Sequence, residues 1–250
     1  MLKELKLLFC ALQFLTRIPV PQFPDFDTEW TTRSAKYFPL VGALVGAICA
    51  AVLWGAHQLW TSPLPALLAV TAGIVITGAF HEDGLADAVD GLAGGRDAAH
   101  RLAIMKDSRI GTYGTLALVL CLALKTTAIA SFPTPIGPRL LIAGHAGGRA
   151  CAILVMSRLR YAADMQTSKV KPAPIGVTKW ECLLALVFGL WPLLFLAPPI
   201  ALAGLITGSI FGALIAIAAF WLVKGYTGDI LGAVEQLFEL GFFLAAAAAV

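Results

Sequence analysis

IALAGLITGSIFGALIAIAAFWLV, residues 200–223, runs for 24 residues without a charged side chain. A helix crosses the hydrocarbon core of a bilayer in roughly 17 to 25 apolar residues. Backbone N–H and C=O groups there must be satisfied within the segment, so the run reads as a membrane helix. Comparable runs lie at about 40–60, 64–80, 115–132, 138–157, 180–197 and 230–249, which makes about seven spans. Composition agrees, with 59% hydrophobic and 13% charged residues and a mean hydropathy of +0.83, outside the range of an ordinary soluble domain. The expected fold is all-α, a polytopic helix bundle. No repeat or Ser/Gly linker divides the chain, so residues 1–250 read as one membrane-embedded domain.

The cations orient the bundle. Of the 18 Lys and Arg residues, 15 fall before the first span or between spans two and three, four and five, and six and seven. Those connections share one side, and the positive-inside rule makes it the cytoplasm, with the N-terminus in and the C-terminus out. The remaining three, Lys125, Arg139 and Arg149, fall inside spans. Residues 1–39 begin with a charged and then an apolar stretch, but TRIPVP follows in place of a small-residue cleavage site. They read as a retained interfacial segment. The five cysteines form no CxxC pair, which points away from disulfides and thiolate metal sites.

Against this background the stretch HEDGLADAVDGLAGGRD, residues 81–97, is anomalous. Asp83, Asp87 and Asp90 are spaced i, i+4, i+7, so on a helix they lie at about 0°, 40° and −20° and share one stripe. Like charges at this spacing repel, and no Lys or Arg lies between 81 and 95 to compensate them. A hard divalent cation held by carboxylate oxygens answers that repulsion. Glu82 falls about 100° off the stripe and reads as a bystander. Gly94 and Gly95 then allow a turn, Ala98–Lys106 reads as a short helix, and Gly111 and Gly114 loosen the start of the third span. This would bring Asp107, Ser108 and Arg109 level with the stripe, in a region spanning 81–113. Carboxylates to hold magnesium and a guanidinium to hold phosphate oxygens are the parts needed for phosphoryl transfer.

HEDGLADAVDG followed by IMKDSRIGTYG, with FLTRIPVP at 14–21, YFPLVGALVGA at 37–47, GGRA at 147–150 and GYTGDILGAVE at 225–235, resembles the cobalamin synthase family, the adenosylcobinamide-GDP ribazoletransferases. The resemblance implies a magnesium-dependent enzyme of the cytoplasmic (inner) membrane with its site facing the cytoplasm. It would join adenosylcobinamide-GDP to α-ribazole, or its 5′-phosphate, with release of GMP. Asp83, Asp87, Asp90 and Asp107 become the expected catalytic metal ligands. Ser108, Arg109, Arg149, Asp229, Arg17 and Arg96 become expected substrate contacts. The acidic motif is also similar to that of the CDP-alcohol phosphatidyltransferases, but Arg96 comes one residue late and the fourth acid of that pattern is absent.

Bland readings stand beside these. Arg149 in mid-span also reads as the structural partner of an acid, and Lys125 with Glu235 and Glu239 reads as a structural ion pair across the bundle. Asp229 can serve as N-cap of the last helix, Arg17 as an interface anchor, and His81 and His145 as packed or hydrogen-bonded residues. The basic loop 158–179, with SKVKPAP, suits a lipid surface or a lid. Other expected partners are membrane lipid, a second copy of the chain or other cobalamin-pathway enzymes, and no nucleic acid. A lipid-headgroup phosphotransferase and a transporter, for which mid-membrane charges would form the pathway, are the rival readings.

Overall fold

The structure is a computed structural model that describes residues 2–21, 23, 29–162 and 176–250. Lys169, Lys171, Pro172 and Pro174, and with them SKVKPAP, lie outside those residues. Eleven α-helices are described: α1 (Leu2–Leu15), α2 (Glu29–Ser34), α3 (Phe38–Ala56), α4 (Leu64–Thr77), α5 (Phe80–Gly94), α6 (Ala98–Lys106), α7 (Thr112–Ala130), α8 (Gly137–Arg158), α9 (Lys179–Leu190), α10 (Pro198–Val223) and α11 (Gly228–Ala249). Short 3-10 turns occupy Ala35–Tyr37 and Trp191–Phe195. The expected all-α bundle is what forms.

Five helical segments are long and apolar enough to cross a bilayer alone: Glu29–Ala56, α7, α8, α10 and α11. The run 64–80 is not one straight span. It breaks after Thr77, and α5 leaves α4 at 89°. Gly78 takes φ +66° and Ala79 φ +59°, which ends α4 in a left-handed cap. The Arg17 guanidinium packs over Gly78, whose left-handed backbone angle is the reason position 78 favours glycine. The run 180–197 is also composite, with α9 followed by the 3-10 turn. It nevertheless traverses the bundle. At one end Gly176 N–H donates to Tyr226 Oη, while α10, which ends beside Tyr226, begins immediately after the turn at the other. With α4, this gives about seven crossings.

α11 lies at the centre, packed against α5, α7, α8 and α10, while α3 packs on α8. Small residues permit the close approach that drives association in lipid. Gly204, Gly208 and Gly212 on α10 face Phe242, Phe238 and Val234 of α11, and Gly42 and Gly46 of α3 abut the α8 backbone. The described parts of the charged connections meet at one end of the bundle. Tyr161 and Tyr226 form a parallel β-bridge there, with Tyr226 N–H donating to Arg160 O and Ala162 N–H to Tyr226 O. α1 is tied down beneath this end, where Lys36 Nζ lies 2.7 Å from Glu4 Oε2 and Tyr37 Oη donates to the same oxygen at 2.7 Å.

Candidate active site

At the charged end a cavity of about 250 Å³ opens between α1, α3, α5, α6, α8, α11 and the Tyr161–Tyr226 bridge. Asp83, Lys106 and Asp229 line it, together with rings from Phe14, Phe38, Phe80, Tyr161 and Tyr226. Asp83 is exposed, and Asp229 is half-buried in the first turn of α11. Asp229 is not the N-cap of that helix. Thr227 is, its Oγ1 accepting from Ile230 N–H at 3.2 Å, and this leaves the Asp229 carboxylate at the cavity. Burial raises the Tyr226 phenol above its ordinary pKa, so it remains a neutral hydroxyl.

The helix expected for the acidic motif forms as α5, with Asp87 and Asp90 buried. Asp90 Oδ2 accepts from Gly111 N–H at 2.7 Å and Asp90 Oδ1 from Gly114 N–H at 2.8 Å. A carboxylate at the start of α7 satisfies donors that the helix itself leaves free and complements the helix dipole. Gly111 and Gly114 therefore do more than loosen the chain. A Cβ at either would press on the Asp90 carboxyl group, so their small size permits the contact.

Asp107 lies in the turn between α6 and α7 and is bound to Arg109, whose Nη2 approaches Asp107 Oδ2 at 2.6 Å. Ser108 and Arg109 are exposed, as is Arg96, whose N–H donates to His100 Nδ1 at 3.3 Å. Arg17 stands at the α4–α5 break, with its N–H donating to Ile76 O at 2.7 Å. The structure thus brings Asp83, Asp229 and Arg149 to the cavity and leaves Asp87, Asp90, Asp107, Ser108, Arg109, Arg96 and Arg17 off its lining.

Beneath the cavity lies a buried polar network. Arg149 Nη1 is 2.6 Å from Glu235 Oε1 and 3.4 Å from Glu239 Oε1. Lys125 Nζ is 2.8 Å from Glu239 Oε2 and donates to Gln236 Oε1 at 2.7 Å. His145 Nδ1 lies 2.5 Å from Glu239 Oε1. Glu82 belongs here and is no bystander, since its Oε1 accepts from Gln236 Nε2 at 3.1 Å. The sequence gives no sign of that contact, because Gln236 is distant along the chain and neutral. Among the described residues, His145, Glu235 and Glu239 form the group whose ligand atoms all lie within 4.8 Å of one another. Lys125 and Arg149 already supply the positive charge those carboxylates need.

For magnesium, the donor chemistry of α5 is apt. Carboxylate oxygens are the hard ligands this ion takes, Asp83 has no basic partner among the described residues, and Asp90 retains free lone pairs beyond its two hydrogen bonds. The four acids Asp83, Asp87, Asp90 and Asp107 do not converge as a three-ligand group within 4.8 Å.

These features define a class: a multi-pass helical membrane protein with an acidic, arginine-bearing site at one end of its bundle. The family model described as cobalamin-5-phosphate synthase matches residues 7–247, and the chain belongs to that family. It is similar to the adenosylcobinamide-GDP ribazoletransferases of Leptothrix cholodnii, at 42% identity over 98% of this chain and 96% of that one, and of Shewanella halifaxensis, at 43% over 97% and 95%. The enzyme of the same name from Shewanella frigidimarina is 39% identical over 97% and 94%. No solved structure matches.

Proposed function

We propose that the protein joins adenosylcobinamide-GDP to α-ribazole or α-ribazole 5′-phosphate, forming adenosylcobalamin or its 5′-phosphate and releasing GMP. A ribose hydroxyl oxygen attacks the phosphorus that carries cobinamide. The new O–P bond forms as the bond to GMP breaks, and the hydroxyl proton passes to a carboxylate. The observation that supports this most directly is the placement of Asp83 and Asp229 on the lining of a cavity at the charged end of the bundle, in a chain that matches this family over residues 7–247.

Magnesium is the proposed cofactor, for which Asp83, Asp87, Asp90 and Asp107 would supply the carboxylate oxygens. When bound, it would neutralise charge on the diphosphate oxygens. The protein's own part is mainly positioning and electrostatic complementarity. Asp83 offers a proton acceptor at the mouth, Lys106 a cation for phosphate oxygens, and Asp90 fixes the turn that carries Asp107, Ser108 and Arg109. The cation distribution supports a cytoplasmic-membrane location with this end inside. Neither rival gains support from the relatives, and the mid-membrane charges of the transport reading pair with one another.

The test is product formation by purified, detergent-solubilised protein given adenosylcobinamide-GDP, α-ribazole and magnesium, with EDTA and Asp87→Asn controls. GMP and a complete cobalamin should appear together and vanish in both controls. Turnover of a CDP-alcohol without cobalamin would replace this reading with the lipid-headgroup one.

A further inference from the structure

We infer that the cavity receives the smaller substrate alone: it holds the flat, apolar benzimidazole-type base of an α-nucleoside, while the guanylylated corrinoid brings only its diphosphate to the mouth. This rests on the ribazole-transfer reading above and assigns which partner the cavity selects.

Size decides first. Pockets for drug-sized ligands run to roughly 300–1,000 Å³, and this one holds about 250 Å³. A mononucleoside is of that order, whereas a corrin macrocycle bearing GDP is several times larger and must stay outside.

The chemistry of the wall agrees. Phe14 and Phe80 meet edge to face at 5.5 Å between centroids, Phe14 stacks on Phe38 at 5.4 Å, and Tyr161 meets Tyr226 edge to face at 5.5 Å. Rings from two separate parts of the chain thus face one space, the arrangement that receives a planar aromatic base. The floor adds one polar residue: Arg149 is 3% exposed, lines the cavity and is held there by Glu235. A benzimidazole nucleoside base is flat and largely apolar, as this wall requires. With the base inside, its ribose lies at the mouth among Asp83, Asp229 and Lys106, where the attacking hydroxyl and a 5′-phosphate find an acceptor and a cation.

Ala152 on α8 lines the same space and is only partly buried, so Ala152→Phe fills the cavity without touching an acid. Binding of α-ribazole alone, followed through its benzimidazole fluorescence on the solubilised full chain, should weaken roughly tenfold or more, the equivalent of one lost aromatic contact. Binding of adenosylcobinamide-GDP should stay within about twofold, because filling a pocket one substrate never enters removes nothing from it. Phe14→Leu, a milder change on α1, should weaken α-ribazole roughly threefold to fivefold and decides the matter if Ala152→Phe elutes aggregated. Unchanged α-ribazole affinity in the folded variants, or weakened corrinoid affinity in its place, overturns the assignment. Failure of the functional reading looks different: wild-type protein would bind α-ribazole with these sensitivities and yet form no cobalamin.

Discussion

Asp90 shows how a residue of the acidic stripe can hold two positions at once. Its oxygens carry the backbone of Gly111 and Gly114, so Asp90→Asn swaps one acceptor for an NH₂ group facing a donor, and lost turnover there would report on structure as well as metal. Asp83, exposed and free of such contacts, is the cleaner probe. Asp83→Asn should abolish turnover while leaving thermal unfolding in detergent within about 0.5 kcal/mol of wild type, as for a surface substitution. Gly114→Ala should instead lose stability and activity together. Its Cβ would fall 2.8 Å from the Ala86 carbonyl oxygen and against the Asp90 carboxylate. Neither backbone nor paired carboxylate yields cheaply, so destabilisation of about 1–3 kcal/mol is expected together with lost activity. An unfolding midpoint equal to wild type would show that Asp90 does not anchor α7 as described.

At the scale of elements, α5 was legible because its apolar and acidic residues fall on separate faces, and α6 because Gly94 and Gly95 precede a helix-forming run. The break between α4 and α5 was not. Residues 64–80 read as one apolar span, and glycine is common in membrane helices, so Gly78 carried no local signal. Arg17, far away in sequence, packs across the bend and donates its N–H to Ile76 O, a contact that residues 64–80 do not encode. For Asp229 the sequence left two readings open, substrate contact or cap, since Thr227 two residues earlier competes for the same donors; the observed turn makes Thr227 the cap and leaves Asp229 on the cavity lining. The attachment of α1 likewise depends on Lys36 and Tyr37, distant in sequence, which hold the Glu4 carboxyl below its ordinary pKa of 4.5, the Lys36 contact contributing most. A depressed folded-state pKa gives stability that is complete above the unfolded value and is lost as pH falls through the folded one. The protection factors of amides in residues 2–15, corrected for the intrinsic pH dependence of exchange, should therefore be constant above pH 4.5 and fall below it, with Glu4→Gln low throughout. Protection that ignores pH in wild-type protein would rule out the tie.

The whole molecule depends on charges that the lipid solvent would not tolerate singly. Their mid-span positions pair Lys125 with Glu235 and Glu239, and Glu239 is indeed its partner. The convergence of Arg149, His145, Glu82 and Gln236 on the same pair requires α5, α7, α8 and α11 to be packed together, which no single segment encodes. Glu239 is wholly buried and touches three basic side chains. Neutral hydrogen bonds between membrane helices average only about 0.6 kcal/mol, but removing one member of a buried ion pair strands its partners and costs about 3–5 kcal/mol. Glu239→Gln should fall in the larger range, measured by denaturation in detergent. Lys125→Met in the same chain removes one stranded charge, so the double variant should be more stable than the sum of the two single losses by at least about 1 kcal/mol. Because Arg149 reaches from this network to the cavity floor, Glu239→Gln should also weaken α-ribazole binding, whereas the acids at the mouth remain as they were. Strict additivity of the two substitutions, with binding unmoved, would mean that the network and the cavity are independent and that the bundle centre serves folding alone.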